Sequence, residues 1–376
     1  NPLNTFINFI TTNPKPLVNL INNNDVMNKY NNSMMDIEHN NIMNIPPLED
    51  PSINYDYLRP YLAGLIEGDG TMWVGTGKNI STMPKVNMVF NMKDKPLAEY
   101  LLQITKCGTL TKKSSGNYMM WQMQNFREVY HMLSLINGYM RTPKHEALMR
   151  ALVWYNNYIN KYKNIDTNSK LKNWESVNTP QSINLMKNLD VFELLSRDTS
   201  PLNSNSWLAG ITDANGNFSI SLYKKKRINL YYRLELKQNY HRPLDINIKN
   251  DMETLNSIIN KGESYLNMMS SIASFFNTNL YSRSRNMKLK DEYKLYSSYI
   301  VMVTNKEGLK LVKQYFDKYP LLSSKYLDYK DWAYIVKIIE SKGQTSESYK
   351  LAEQIRTNYN STRHKFKWDH LKLFKK

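Results

Sequence analysis

A ten-residue motif occurs twice in this chain and limits the folds open to it. Residues 61–70 read YLAGLIEGDG, and residues 207–216, 146 positions later, read WLAGITDANG. Each copy is followed by two strand-like runs, an amphipathic helical pattern, two further strand-like runs and a closing helical pattern. Two copies of one αββαββα unit predict an α+β fold, a single-chain tandem repeat with pseudo-two-fold symmetry and two antiparallel sheets.

The hydrophobic pattern also predicts where these elements begin and end. In the first half it predicts strands at 71–75, 85–92, 108–113 and 118–124, and helices at 96–105 and 126–136. In the second half it predicts strands at 217–223, 230–238, 280–285 and 293–303, and helices at 265–276 and 306–319. The order is the same in both halves, so we expect them to fold alike.

Composition divides the chain into five regions. They are an Asn-rich flexible N-terminal arm (1–50), a first repeat domain (51–162), a linker (163–203), a second repeat domain (204–340) and a basic C-terminal tail (341–376). The arm holds 14 Asn residues and little periodicity, which is typical of a loosely ordered segment.

Small residues predict that the two copies of the motif pair as helices. Gly64 and Gly68 are four residues apart and lie on one helix face, as do Gly210 and Ala214. Such a face allows a second backbone to approach closely. We therefore expect the two motif helices to pack against each other, with their ends side by side.

The last polar residue of each copy, Asp69 or Asn215, is the candidate metal-binding position. Each stands directly before the glycine that ends its helix. A carboxylate there, beside the backbone carbonyls of Gly68 and Ala214, can hold Mg²⁺ through oxygen ligands. A cation at this point can coordinate a scissile phosphate and activate a water molecule.

The charge balance favours a polyanionic partner. The chain has 50 Lys and Arg residues against 33 Asp and Glu, a net charge of +17. A folded chain with this excess is typical of a nucleic-acid-binding protein. No apolar run reaches the roughly 20 residues of a membrane-spanning helix, so we expect no membrane partner. The single Cys107 excludes an internal disulfide and a cysteine-based zinc site.

The two copies, at 62–70 and 208–216, resemble the paired signature helices of LAGLIDADG homing endonucleases and group I intron maturases. Residues 89–94, 141–144 and 319–329 support the resemblance, which covers about residues 57–340. It implies two saddle-shaped sheets, joined by the paired helices, that straddle duplex DNA and read bases in the major groove. It also implies a monomer that is encoded in a fungal mitochondrial group I intron and made inside the organelle.

Asp69 matches the acidic position to which the resemblance assigns a divalent metal, whereas Asn215 departs from it. An amide keeps an acceptor oxygen but lacks the negative charge that offsets Mg²⁺, so the second metal site is expected to be weak or absent. Glu67 and Asp213 are acidic but stand two positions earlier, where we expect them to face the helix flank or to cap a helix.

This departure favours a maturase that binds its host group I intron RNA and assists splicing by stabilising the active RNA fold. The intron would supply the chemistry, and a second host-encoded splicing protein could share the RNA. The alternative is a Mg²⁺-dependent homing endonuclease that cuts or nicks duplex DNA at the intronless allele.

The hairpins that the resemblance directs into a nucleic-acid groove carry many cations. In the second half the candidates are Lys224, Lys225, Lys226, Arg227, Arg283, Arg285, Lys288 and Lys290. In the first half they are Lys78, Lys112 and Lys113. These groups can neutralise phosphates, although each run could also be an ordinary solvated turn.

Two further features are candidates from the sequence. Lys306, with Lys93 and Gln238, lies near strand ends where the resemblance places basic or water-orienting groups around the metals. A surface role is the alternative for each. Residues 350–376 combine cations with aromatic residues, which suits either a phosphate-tracking tail or an amphipathic C-terminal helix.

Overall fold

The structure is a computed structural model that describes residues 50–114, 116–163, 188–224, 227–240, 263–289 and 292–374. Residues 1–49 of the predicted arm and 164–187 of the predicted linker lie outside the described residues. The same holds for Lys225, Lys226 and Lys290.

The first half contains the seven predicted elements in the predicted order. They are α1 (Tyr55–Asp69), β1 (Gly70–Trp73), β2 (Lys85–Asn91), α2 (Lys95–Thr105), β3 (Thr109–Lys112), β4 (Tyr118–Met123) and α3 (Phe126–Ile136). A further helix, α4 (His145–Lys163), follows them and was not predicted.

The second half repeats this order. Its elements are α5 (Trp207–Asn215), β5 (Gly216–Tyr223), β6 (Arg227–Lys237), β7 (Asn239–Tyr240), β8 (Glu263–Ser264), α6 (Leu266–Phe275), β9 (Leu280–Leu289), β10 (Glu292–Val303) and α7 (Lys306–Lys318). The short strands β7 and β8 pair with each other and have no counterpart among the described elements of the first half.

Each half forms one four-stranded antiparallel sheet, in the order β1-β2-β4-β3 or β5-β6-β10-β9. Gly70 pairs with Met88 in the first sheet and Gly216 with Leu234 in the second, so both sheets have the same register relative to their signature helix. These observations confirm the predicted α+β tandem repeat.

One face of each sheet is covered by helices and forms the core. Along β6 the buried residues alternate with partly exposed ones, as expected for a strand with one covered face. Phe218, Tyr232 and Trp332 are among the largest side chains buried on the covered face of the second sheet. We call the opposite face of each sheet its open face.

The two signature helices, α1 and α5, pack against each other at their glycines. A Cβ atom on Gly64 would lie 2.1 Å from the carbonyl oxygen of Trp207, and one on Gly210 would lie 2.0 Å from that of Tyr61. Only glycine permits backbones to approach this closely. The predicted helix pairing is therefore confirmed.

The chain after the second repeat packs onto the second half. Helix α8 (Lys325–Lys342) crosses the predicted boundary at residue 340, and α9 (Ser346–Arg356) follows it. The buried Tyr359 donates a hydrogen bond to the carbonyl oxygen of Phe218 at 2.9 Å. The region after residue 340 therefore packs against the core of the second half, and α9 agrees with the alternative of an amphipathic C-terminal helix.

The described part of the linker is held against the first half. The Asn156 side chain donates to the carbonyl oxygen of Phe192 and accepts from its backbone N–H, at 2.8 and 2.7 Å. Arg141 and Asp198 form a buried salt bridge of 2.6 Å. Among the described helices, none is long and apolar enough to cross a membrane.

Candidate nucleic-acid interface and metal centre

Glu67 ties the end of α1 to the second half. Its buried carboxylate accepts hydrogen bonds from the backbone N–H groups of Arg141 and Thr142 and from the indole N–H of Trp207. Burial raises the pKa of Glu67, and these hydrogen bonds lower it in part. The side chain therefore caps the segment before α4 and holds an aromatic residue of the other half.

Asp213 makes the equivalent contacts at the end of α5. Its carboxylate accepts from the backbone N–H of Leu322 at 2.7 Å, from that of Ser323 at 3.1 Å and from the hydroxyl of Tyr61 at 2.7 Å. Burial raises its pKa as well. Glu67 and Asp213 thus face the flank of their own helix, one of the two expected placements, and each binds the segment before the next helix. Neither carboxylate is available for a metal.

A lysine covers the carbonyl end of each signature helix. Lys144 Nζ donates to the carbonyl oxygens of Gly70 at 2.7 Å and Ile66 at 3.1 Å. Lys325 Nζ donates to three carbonyl oxygens at the end of α5, among them Asp213 at 2.6 Å and Ala214 at 3.0 Å. A cation is favourable here because the last carbonyls of a helix carry partial negative charge.

Burial shifts the titration of both lysines. It lowers the pKa of Lys144 to about 8, with the charge of Lys237 acting in the same direction. It also lowers the pKa of Lys325, while the charge of Asp213 partly opposes the shift. Both ammonium groups are therefore poorly solvated cations at the meeting point of the halves.

Asp69 lies between these two lysines, at the wall of a pocket of about 160 Å³. The pocket is formed by the end of β2 with Lys93 and Asp94 from the first half, and by Ala214 and Lys325 from the second. Burial raises the pKa of Asp69, and the charges of Lys325 and Lys144 lower it in part. Within the described residues the carboxylate accepts no hydrogen bond, so both oxygens can receive an external ligand.

Asn215 occupies the equivalent position at the end of α5. Its Nδ2 is buried and has no hydrogen-bond partner among the described residues. A Cβ atom on Gly68 would lie 2.8 Å from this nitrogen, which shows how closely the two helix ends meet. The second position thus places a neutral amide where the first places an anion.

The groups around Asp69 fit a hard divalent cation in part. Asp69 supplies an uncommitted carboxylate, and the Ala214 carbonyl keeps a second lone pair beside its bond to Lys325. The described residues contain no cluster of three or more His, Cys, Asp or Glu side chains that could hold a metal. A cation here would need further oxygen ligands from a nucleic acid or from water.

The open face of the second sheet is strongly basic. Among the cations that strand register and alternation place on it are Arg227, Arg233, Lys237, Arg283 and Arg285. The Arg285 guanidinium lies 5.1 Å from the ring centroid of Tyr296, the residue directly opposite it. This face can neutralise phosphates over much of its length.

Lys288 does not belong to this face. It pairs with Tyr293, and both lie on the side of the sheet that continues the core, where Tyr293 is 73% exposed. Lys288 lies in the same hairpin as Arg283 and Arg285 but on the opposite face, since an odd separation along a strand places residues on opposite faces. Lys224 lies in the turn after β5, with its Nζ 5.1 Å from the centroid of the Tyr223 ring.

The open face of the first sheet is far less charged. Its two inner strands present Lys85, Asn87, Val89 and Tyr118, and Val89 is 41% exposed. The three predicted cations lie at the edges of this sheet. Lys78 is exposed in the turn after β1, Lys112 pairs with the buried Met119 on the covered side, and Lys113 follows β3.

Of the remaining predicted site residues, one lines the pocket beside Asp69 and the others do not. Lys93 lines the pocket beside Asp69. Lys306 is exposed at the first residue of α7 and is not among the residues that line this pocket. Gln238 follows β6, where its backbone pairs with Ser297.

The roles of Lys144 and Lys325 were not predicted from the sequence. Both stand inside segments that supported the resemblance, at 141–144 and 319–329. Lys144 directly precedes α4, and Lys325 is the first residue of α8. The side chain of each binds the end of a signature helix. The signal available in the sequence was the occurrence of a lysine at the same place after each repeat.

A model of the LAGLIDADG endonuclease family matches residues 62–155 and 208–336. These two segments cover more than half of the chain and contain both signature helices. The chain belongs to the LAGLIDADG endonuclease family.

Two curated relatives are similar over most of the chain. The intron-encoded DNA endonuclease aI3 of Saccharomyces cerevisiae is 42% identical over 92% of this chain and 77% of its own length. An uncharacterized cox1 intron-2 protein of Schizosaccharomyces pombe is 27% identical over 77% of this chain and 68% of its own length. The relatives are thus fungal proteins whose names refer to introns.

Solved structures show the same fold. The LAGLIDADG homing endonuclease I-GzeII, in complex with its DNA target, has a TM-score of 0.52 and 19% identity over 83% of this chain and all of its own. I-LtrWI, bound to target DNA, has a TM-score of 0.50 and 17% identity over 82% of this chain and all of its own.

Proposed function

We propose that this protein is an intron-encoded DNA endonuclease that binds a specific duplex site across the open faces of its sheets and cuts one strand faster than the other. The observation that carries the proposal is the unequal pair of helix ends: Asp69 has an uncommitted carboxylate, and Asn215 has none. The 42% identity to a protein named as a DNA endonuclease supports it.

Endonucleases of this fold generally use a divalent metal such as Mg²⁺. In this chain Asp69 would hold it, together with the carbonyls of Gly68 and Ala214. A bound cation supplies Lewis-acid polarisation of a phosphate and an activated water. Lys144 and Lys325 hold the ends of the two helices in place and put positive charge beside Asp69.

The neutral amide of Asn215 makes the second centre weaker. Affinity for a hard cation depends on the number of anionic ligands, and this position has lost one. Strand cleavage that depends on Asn215 should therefore be the slower step, so a nicked duplex is expected to accumulate before both strands are cut.

A plasmid assay tests this proposal. The substrate is a supercoiled plasmid that carries the joined exons flanking the intron of this gene, incubated with purified protein and Mg²⁺. Open circles should form first and convert slowly to linear DNA, with the first cut confined to one strand on a sequencing gel. Asp69→Asn should lose the fast first cut and form no linear DNA, while still shifting the labelled duplex in a gel. Linear DNA without an open-circle phase would contradict the proposal.

A second function, RNA maturation, is favoured by the same amide. A protein that only holds a group I intron in its active fold needs no metal ligand at Asn215, and a basic surface suits RNA as well as DNA. In this proposal the protein acts in the mitochondrion, with or without a second host-encoded protein on the RNA.

A splicing time course separates the two functions. The precursor RNA of the host intron is followed with and without protein at near-physiological Mg²⁺. If the protein is a maturase, spliced exons should appear faster with it, and Asp69→Asn should be as effective as wild type. No acceleration would exclude the maturase function for this intron.

A further inference from the structure

Arg233 and Glu235 stand side by side on the open face of β6, in the middle of the second sheet. They are two residues apart and therefore point to the same side of the strand. The Ser298 hydroxyl, on the neighbouring strand β10, donates to Glu235 Oε1 at 2.6 Å, and the Arg233 guanidinium donates to Glu235 Oε2. The carboxylate is thus held from two directions.

A carboxylate at this place opposes binding to a phosphate backbone. Strand register places Glu235 among the cations of the open face, on the inner strand β6. Burial alone would raise its pKa, but the Ser298 hydrogen bond and the Arg233 charge outweigh that effect and lower it. Glu235 therefore stays ionised at neutral pH and repels phosphate.

The same carboxylate is well suited to a base edge. In the major groove cytosine presents the N4 amino donor, and guanine presents the O6 and N7 acceptors. Glu235 keeps free lone pairs beside its two bonds, and Arg233 keeps N–H donors beyond the one given to Glu235. The two Cα atoms are roughly 7 Å apart along the strand. The guanidinium donors of Arg233 and the carboxylate acceptor of Glu235 are thus held next to each other.

We propose that Arg233 and Glu235, held in place by Ser298, read one G·C base pair in the half-site that faces the second sheet. Glu235 accepts from cytosine N4 and Arg233 donates to guanine. This proposal rests on the DNA binding proposed above and adds the base that these residues select.

The first sheet offers a different contact at the equivalent place. Because Met88 and Leu234 pair with equivalent glycines, Asn87 corresponds to Arg233 and Val89 to Glu235. Val89 is 41% exposed and carries no charge. The G·C reading site is therefore a property of the second half, and the two half-sites should differ in base preference at this point.

Selection from a randomised duplex DNA library tests the proposal. Wild-type protein, Glu235→Gln and the control Glu340→Gln are each used to enrich sequences in EDTA. Glu340 is exposed on α8, so its substitution makes the same change in net charge away from the open face. Equal thermal midpoints by circular dichroism would show that the variants are folded.

Wild type should enrich a site with a fixed G·C pair at one position of the half-site under the second sheet. Glu235→Gln should lose about tenfold or more of the discrimination at that position only, and bind random duplex more tightly than wild type. Arg233→Lys should weaken the same base preference, because lysine cannot form the two parallel bonds to guanine. Glu340→Gln should leave the preferences unchanged.

Two outcomes overturn the proposal and can be told apart. If wild type enriches a site and Glu235→Gln enriches the same site with equal discrimination, the reading role is wrong while DNA binding stands. If wild type enriches no sequence, the proposed DNA function fails, and the reading site fails with it.

Discussion

The two halves of the protein agree closely where they touch each other and differ where they face a ligand. We call the contact between the signature helices α1 and α5 the seam. There Glu67 and Asp213 accept the same kind of hydrogen bonds, and Lys144 and Lys325 cover equivalent helix ends. At the metal position, by contrast, the first half has Asp69 and the second has an amide. The contacts between the halves are thus symmetric, whereas the side chains at positions 69 and 215 are not.

The open faces differ in the opposite sense. The second half, which has an amide in place of Asp69, presents Arg227, Arg233, Lys237, Arg283 and Arg285 on its open face. The two inner strands of the first sheet present Lys85 as their one cation among the described residues. In the proposed endonuclease, binding and chemistry would therefore depend on different halves: the first half would provide the catalytic anion, and the second would provide most of the electrostatic attraction.

The largest effect is expected from breaking the symmetric seam. Gly64→Ala and Gly210→Ala should each lower the free energy of unfolding by about 3 kcal/mol or more, because the new Cβ meets a backbone oxygen that cannot move aside. Urea unfolding measures the change. The control Lys337→Ala, on an exposed helix position, should change stability by less than about 0.5 kcal/mol. Stabilisation by either glycine substitution, as helix propensity alone predicts, would contradict the close packing.

The carboxylates that tie the halves together come next. Glu67→Gln and Asp213→Asn should each cost about 2 to 4 kcal/mol, since the new amide group faces backbone N–H donors and leaves them unsatisfied. Tyr61→Phe, which removes only one donor to Asp213, should cost about 1 kcal/mol. If the losses of unfolding free energy in Glu67→Gln and Asp213→Asn differed by more than about twofold, the two carboxylates would not be energetically equivalent, although their hydrogen bonds are alike.

A smaller effect is expected from restoring symmetry at the metal position. Asn215→Asp should raise the rate of second-strand cutting about tenfold relative to the first, because a second anionic ligand becomes available. The ratio of linear to open-circle plasmid measures it. Asn267→Asp adds the same charge at an exposed position of α6, away from the open faces, and should leave the ratio unchanged. An unchanged ratio in Asn215→Asp would mean that other groups of the second centre are also missing.

The smallest effect concerns the titration of Lys144. Its pKa of about 8 lies below the usual value of 10.5, so between these values the folded state binds fewer protons than the unfolded state. The contribution of this group to stability should therefore increase as pH rises through about 8 to 10.5. NMR of ¹³C-methylated lysines should show a resonance that titrates near pH 8 and is absent in Lys144→Arg.

Asp69→Asn sharpens the same measurement. Because the charge of Asp69 raises the pKa of Lys144, its removal should move this titration to lower pH. An unchanged midpoint would mean that the two groups are screened from each other.

The sequence predicted most of the fold but only part of the site. Periodicity placed the strands and the helices that follow each signature helix within four residues of their bounds, because each has a covered and an exposed face. Helix α1 begins six residues before its motif. Helix α8 was missed because its apolar residues were assigned to the end of a domain and to a charged tail. Its core role depends on contacts such as that of Trp332 with Phe218, more than a hundred residues away.

The site shows the same limit. Asp69 and Asn215 could be recognised because they end a repeated motif. The contact of Lys144 could not be predicted, because its bond to Gly70 joins residues 74 positions apart, and the sequence signals only that a lysine stands after each repeat. The face of Lys288 could have been derived by counting along β9 from Arg285, had the strand been known to continue past residue 285.

In each half an aromatic residue donates a hydrogen bond to a carboxylate of the other half, and this pairing limits which substitutions can occur independently during evolution. Tyr61 belongs to one half but satisfies Asp213 of the other, and Trp207 does the same for Glu67. A half taken from one relative and joined to a half from another would separate each carboxylate from the donor it was selected with. Positions 61 and 213 should therefore vary together among relatives, as should 67 and 207. A chimera should fold well only when both partners of each pair are transferred.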